Sequence, residues 1–188
     1  MGKSTTAGFF REAGVPVHDA DAVVHRLYET EAVPLIEAAF PGTTDNGKVD
    51  RVKLGTRVIN DLAALHQLEA IVHPLVQNAE RKFLADAEKN GAAVVVLDIP
   101  LLLETGGDQR VDAVVVVTAP AEVQRARVLE RPGMTEQKLA AMLMRQMPDS
   151  EKRRRADFIV DTSRGFDEAR AQVQEILRRV ATMPKRRR

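Results

Sequence analysis

Ala92-Ala93-Val94-Val95-Val96-Leu97-Asp98-Ile99 decides the fold class. The run is apolar up to Asp98, and two later runs share its form: Asp112-Ala113-Val114-Val115-Val116-Val117-Thr118 and Asp157-Phe158-Ile159-Val160-Asp161. Each is far shorter than the roughly 20 apolar residues of a membrane span. A helical pattern separates each run from the next. Val-rich runs without polar alternation are strands covered on both faces, as in parallel sheets. The expectation is an α/β fold, a parallel sheet flanked by helices.

Working outward, residues 50–90 are almost wholly helical in pattern, with Leu62, Leu65, Leu68, Ile71 and Val72 on one face. Pro74 should bend that helix or restart it after His73. Residues 20–28 and 32–40 are helical, and Pro41 through Gly47 is a loop by its turn residues. Toward the N-terminus, Ser4 to Ala13 forms a helix that Gly14 can close in a left-handed cap. Val15 to His18 is a short strand, weakened by Pro16. Downstream, Pro120 starts a helix running to Arg131, Pro132-Gly133 ends it, and Thr135 can cap the next. The last helix buries Phe166, Ala169, Val173, Ile176, Leu177 and Val180. The tail from Pro184 to Arg188 is a frayed, solvated end.

The chain has 188 residues, 44% of them hydrophobic, enough for one domain with a substantial core. Its 28 Lys and Arg balance 27 Asp and Glu, which disfavours a protein that coats nucleic acid. With no Trp and one Tyr there is no stacking platform for single strands. The absence of cysteine removes disulfides and thiolate metal sites, and fits a cytoplasmic location. The expected partner is therefore a small molecule, neither nucleic acid nor membrane. Nothing in the pattern sets an oligomeric state.

Chemistry begins at the first residues. Gly2-Lys3-Ser4 running into a helix matches the second half of a phosphate-binding loop. Glycine lets the backbone approach phosphate, the helix N-terminus points amides at it, lysine reaches the β and γ phosphates, and the serine hydroxyl ligates magnesium. The bland alternative is a polar N-terminus. The complete pattern has a strand and another glycine before Gly2, so the expectation is a natural protein beginning roughly ten residues upstream. Asp19-Ala20-Asp21 then sets one carboxylate at a strand end and another in the first helical turn. A carboxylate there can accept the proton of an attacking hydroxyl or simply cap the helix. Arg125, Arg127 and Arg131 lie on or beside one helix, followed by Arg145 and Arg153 to Arg155. Such a segment can close as a lid over phosphate charge, or stay solvated. Arg127 and Arg131 favour the lid; Arg153 to Arg155 favour solvent. Asp98 ends its strand where a magnesium-holding carboxylate would sit, and could equally cap the Pro100-Leu101-Leu102 turn. His73, before a proline on a helix, is more often structural than catalytic.

Taken in order, these residues resemble dephospho-coenzyme A kinase, a P-loop kinase family. Gly2-Lys3-Ser4-Thr5, Gly14 to Val17 and Asp19-Ala20-Asp21 look like its opening. Ile71-Val72-His73-Pro74 looks like its helix break, and Asp98 to Glu104 like its signature strand and turn. Gln124, Arg127, Arg131, Arg145-Gln146 and Ala156-Asp157 match its lid region. The resemblance implies ATP-dependent phosphorylation of the ribose 3′-hydroxyl of dephospho-coenzyme A, with ATP and Mg2+ as cofactors. It implies Asp21 as general base, with Lys3 and Arg131 also catalytic. Met1 to Thr5, Arg127 and Arg145 would bind nucleotide; Asp19, His25, Arg26 and His73 would bind the acceptor; Ser4 and Asp98 would hold the metal. It further implies one P-loop kinase domain over residues 1–188. Within it, about 32–90 would form a helical substrate-binding subdomain and about 125–155 an arginine-bearing lid. One departure stands out: His25, with Arg26 next, occupies the place where many members carry arginine. The alternatives are another P-loop nucleotide or small-metabolite kinase, which the Asp-Ala-Asp and Pro-Leu-Leu-Leu-Glu segments disfavour, and a nucleotide-dependent switch. No Asn-Lys-x-Asp segment supports a GTPase.

Overall fold

Asp19, Asp50, Asp61 and Thr135 each stand immediately before a helix. Each side chain accepts a hydrogen bond from a backbone amide two or three residues on. These caps satisfy donors that the first helical turn leaves open, and so fix where four helices begin. The computed structural model describes residues 2–184. Its first half runs α1 (Lys3–Glu12), β1 (Val17–Asp19), α2 (Ala20–Leu27), α3 (Ala32–Ala39), β2 (Thr44–Asp45), β3 (Lys48–Val49), α4 (Arg51–Val58) and α5 (Leu62–Lys89). The second half runs β4 (Val96–Asp98), a 3-10 turn at Gly107–Arg110, β5 (Val115–Thr118), α6 (Ala121–Leu129), α7 (Glu136–Met144), α8 (Asp149–Arg155), β6 (Phe158–Asp161) and α9 (Phe166–Val180).

The chain divides into two compact units. One is the continuous stretch His18–Leu97, and the other joins the residues before it to those from Asp98 onward. In the continuous unit, α2, α3, α4 and α5 close on one apolar core that includes Val23, Leu27, Ile36, Leu54, Leu68 and Val72. Ile36 is fully buried at its centre. In the other unit, β5 and β6 pair in parallel, from Val115 opposite Phe158 to Thr118 opposite Asp161. Helix α9 lays Ala169, Val173 and Ile176 inward, and Phe9 of α1 meets Phe166 edge-on with ring centroids 6.4 Å apart. Arg170 covers the Phe9 ring and pairs with Glu12, fastening α1 to α9. Strand β1 is hydrogen-bonded to β4. The architecture is the expected α/β fold with parallel pairing flanked by helices.

Several local expectations give way to the structure. The 41–47 segment is not a plain loop, since β2 and β3 pair antiparallel around Asn46-Gly47. Both turn residues have positive φ, 48° and 75°. That is the hairpin geometry that Asn-Gly favours. Helix α5 runs from Leu62 to Lys89 with Pro74 inside it, so the proline starts no new helix, which leaves a bend as the other expectation. Phe166 is exposed where burial was expected, being the first residue of α9. The strands are shorter than their apolar runs, and their burial alternates: Val116 and Thr118 are buried in β5, while Ile159 of β6 is 40% exposed. The two faces of this pair are covered unequally. Among the described residues, no helix is long and apolar enough to cross a membrane.

Candidate active site

Helix α1 opens with backbone amides that no side chain caps. Gly2 takes a left-handed conformation, φ 85°, and the first intrahelical bond runs from Thr6 N to the Gly2 carbonyl at 2.9 Å. The amides of Lys3, Ser4 and Thr5 therefore precede the helical ladder. No side chain caps them, and no acidic residue stands in the first turn. A helix start with open amides and no resident negative charge suits a phosphate. A Cβ on Gly2 would meet the Thr162 methyl at 3.4 Å, an ordinary contact, so it is the positive φ and not lack of space that favours glycine there. Ser4 and Thr5 are exposed. Met1, the remaining residue expected here, lies outside the described residues.

Lys3 Nζ donates to Asp98 Oδ1 at 2.6 Å. Asp98 is buried at the end of β4, while the Lys3 side chain is 41% exposed. The pair joins the phosphate-loop lysine to the carboxylate expected to hold magnesium. Just beyond, Leu101 has φ 57°, a left-handed conformation that a branched side chain rarely adopts. It turns the chain within three residues of Asp98. Glu104 ends this turn: its Oε1 accepts from Met147 N and from Lys152 Nζ, both at 2.9 Å. Burial pushes the Glu104 carboxyl up, but the Lys152 and Met147 hydrogen bonds prevail and hold it below the usual glutamate range.

The arginines of the expected lid separate into two groups. Arg125 pairs with Glu136, Arg153 with Asp149, and Arg155 with Asp108. Arg127 donates to Thr162 Oγ1 at 3.0 Å and to the Thr162 carbonyl at 2.9 Å. It is thereby tied to the residue that packs against Gly2. Arg131 lies two residues beyond the end of α6, and Arg145 caps α7. Both are exposed, and among the described residues no carboxylate pairs with either. Thr118 and Thr162 were missed by sequence reasoning. Thr118 is fully buried at the end of β5 and donates to Asp149 at the start of α8. A polar residue closing each apolar run was the available signal.

In the continuous unit, Asp19 caps α2 through Ala22 N at 3.0 Å. Asp21, in the first turn, is exposed, and among the described residues no hydrogen bond or ion pair engages its carboxylate. Of the two aspartates, Asp19 is the one that caps the helix. One turn further on, His25 accepts a hydrogen bond on Nε2 from Arg51 Nη1 at 3.0 Å. Arg51 also lies over the Tyr28 ring, 5.7 Å from its centroid. Burial raises the Tyr28 pKa, and Arg51 offsets that in part. Arg26 and His73 are exposed.

A Mg2+ ion fits the donor chemistry of Ser4 and Asp98, which lie in the unit outside His18–Leu97. Serine hydroxyl and carboxylate oxygens are hard ligands, and Mg2+ keeps most of its shell as water and substrate phosphate. Among the described residues no group of three or more His, Cys, Asp or Glu could form an all-protein cage.

Comparison with known proteins agrees with this geometry. A family model described as dephospho-CoA kinase matches residues 1–168. A dephospho-CoA kinase of Rhodopseudomonas palustris (strain BisB18) is 65% identical over 187 residues, covering 100% of this chain and 94% of the relative. One from Brucella abortus (strain 2308) is 58% identical over 184 residues, covering 98% and 92%. The crystal structure of TT1252 from Thermus thermophilus superposes with a TM-score of 0.83 at 34% identity, covering 95% of this chain and 91% of that one. A dephospho-CoA kinase from Campylobacter jejuni shares the fold, with a TM-score of 0.65 at 23% identity. With so close a likeness along nearly its whole length, the chain belongs to the dephospho-CoA kinase family.

Proposed function

We propose that Asp21 is the general base when this chain transfers the γ-phosphate of ATP to the ribose 3′-hydroxyl of dephospho-coenzyme A. The family carries the reaction: the chain is an ATP-dependent kinase, and its product is coenzyme A. The observation that carries the mechanism is the start of α2, where Asp19 caps the helix and Asp21 has no partner among the described residues.

In the step itself, the acceptor oxygen bonds to the γ phosphorus as its proton passes to an Asp21 carboxylate oxygen. The bond from that phosphorus to the β–γ bridging oxygen breaks, and ADP leaves. The Lys3, Ser4 and Thr5 amides receive phosphate oxygens, and Lys3 exchanges Asp98 for the β and γ phosphates. Arg131 and Arg145 have no carboxylate to leave, so each can turn to the charge spread over the γ oxygens. Arg127, held by Thr162, supports the nucleotide side from a fixed position. Ser4 and Asp98 would hold Mg2+ in this reading, and the ion would supply positive charge to offset that of the phosphates. Asp19, His25, Arg26 and His73 belong to the acceptor side. The segment from about 32 to 90 serves as the substrate-binding subdomain and that from about 125 to 155 as the lid. A cytoplasmic setting completes the reading, supported by the lack of cysteine.

A coupled ADP-release assay tests it, offering Mg-ATP with dephospho-coenzyme A, with AMP, and with no acceptor. Release that depends on dephospho-coenzyme A is expected. Equal release with AMP would favour a general nucleotide kinase, and equal release without acceptor an ATPase.

A further inference from the structure

Arg51 is the first residue of α4, is exposed, and has no carboxylate partner among the described residues. The nearest acid in sequence, Asp50, is committed elsewhere: its carboxylate accepts from Val52 N and Lys53 N and pairs with Lys53 Nζ. What holds Arg51 is His25 on one side and the Tyr28 ring on the other. Arginine has no acceptor, so the hydrogen bond runs from Nη1 to the imidazole Nε2, and neutral His25 keeps its proton on Nδ1. His25 follows Asp21 by four residues on α2, which puts both on one helix face. The contact thus fixes an uncompensated guanidinium on the face that carries the unpartnered aspartate. All of these residues lie in the His18–Leu97 unit.

Resting on the kinase reading above, we propose that Arg51 is a specificity-determining residue that binds a phosphate group of the acceptor, and that His25 is the positioning residue that aims it. Only one of the five guanidinium N–H groups is spent on His25, and a planar fork matches phosphate oxygens two at a time. Dephospho-coenzyme A carries a diphosphate on the same ribose whose hydroxyl is phosphorylated. An arginine held by His25, one turn along α2 from Asp21, would therefore place that hydroxyl by holding its neighbour. A nucleoside without the diphosphate gains nothing from it.

Equilibrium binding of dephospho-coenzyme A and of adenosine, without nucleotide, decides the matter when paired with steady-state kinetics. Arg51→Ala should weaken dephospho-coenzyme A binding about ten- to a hundredfold, the range for a hydrogen bond to a charged group. Adenosine binding and the KM for ATP should shift by less than about twofold. His25→Leu should lose affinity in the same direction, and His25→Gln, which keeps an acceptor for Arg51, should lose less. An Arg51→Ala variant that binds dephospho-coenzyme A within about threefold of wild type overturns the proposal, as does an equal loss for adenosine. If Arg51→Ala melts below the assay temperature, Arg51→Lys decides, since it keeps the charge and loses the fork: unchanged binding there counts against us. Wild-type protein that binds dephospho-coenzyme A but never phosphorylates it would sink the kinase reading alone.

Discussion

Asp21 owes its availability to Asp19, which has taken the capping duty of α2. Asp21→Asn keeps the shape and removes the proton acceptor, so kcat should fall about 10²–10⁴-fold with ATP affinity little changed. Near-normal turnover would exclude Asp21 as the base. Asp19→Asn should be milder, because asparagine caps about as well. Arg131→Ala should depress kcat more than it weakens ATP binding, since a lid arginine acts on charge that develops in the closed state. Matched losses in both would return Arg131 to solvent. Glu104 offers a stability test instead: Glu104→Ala leaves the Met147 amide and Lys152 without their acceptor, at about 1–3 kcal/mol. Because the folded Glu104 pKa is depressed, its contribution is present above the ordinary glutamate value and is lost as pH falls through the folded one. Urea titrations of wild type and variant should therefore converge in acid. Lys3, Ser4 and Asp98 were legible because motif chemistry demands them in order. Arg51 was not, because its meaning comes from a contact with a helix 26 positions away.

Among the elements, α5 shows where local rules yield. Pro74 lies in its interior and leaves the Ala70 carbonyl without its usual donor. Pro74→Ala should therefore raise stability, by up to about 3 kcal/mol, seen as a higher denaturant midpoint with an unchanged slope. A lower midpoint would mean that the proline ring itself packs usefully. The capped helix starts at Asp19, Asp50, Asp61 and Thr135 are all visible in the sequence, since a short polar side chain before an apolar pattern has one common use. The Asn46-Gly47 hairpin was equally signalled, yet its strands have only two residues each and were absorbed into the surrounding loop. The apolar runs overstated their strands because valine continues past the last ladder hydrogen bond: Val94 and Val95 belong to the run but not to β4.

For the whole molecule, Val-rich runs sufficed to reveal the α/β class, although only a 3-10 turn, and no α-helix, lies between β4 and β5. The resemblance implied a subdomain over about 32–90, while the wider bounds of the compact unit, His18–Leu97, did not show, because no Gly- or Pro-rich linker marks them. Both crossings fall inside or beside strands, at Val17 in β1 and before Asp98 in β4. Mg-ATP should raise the thermal midpoint, by an amount equivalent to about 2.7 kcal/mol at a hundredfold excess over Kd; Lys3→Ala should lose most of that gain. Since β1 and β4 are hydrogen-bonded to each other, the stretch between them begins and ends at neighbouring points. It is an insertion, held at its base by two strands. A genetic exchange with breakpoints near 17 and 98 would hence carry Asp21, His25 and Arg51 together into another chain and leave Lys3, Asp98 and Arg131 behind. On our assignment that is a transplant of acceptor choice in one recombination event, and a chimera built so should inherit the acceptor preference of the donor of residues 18–97 while keeping the nucleotide affinity of the recipient.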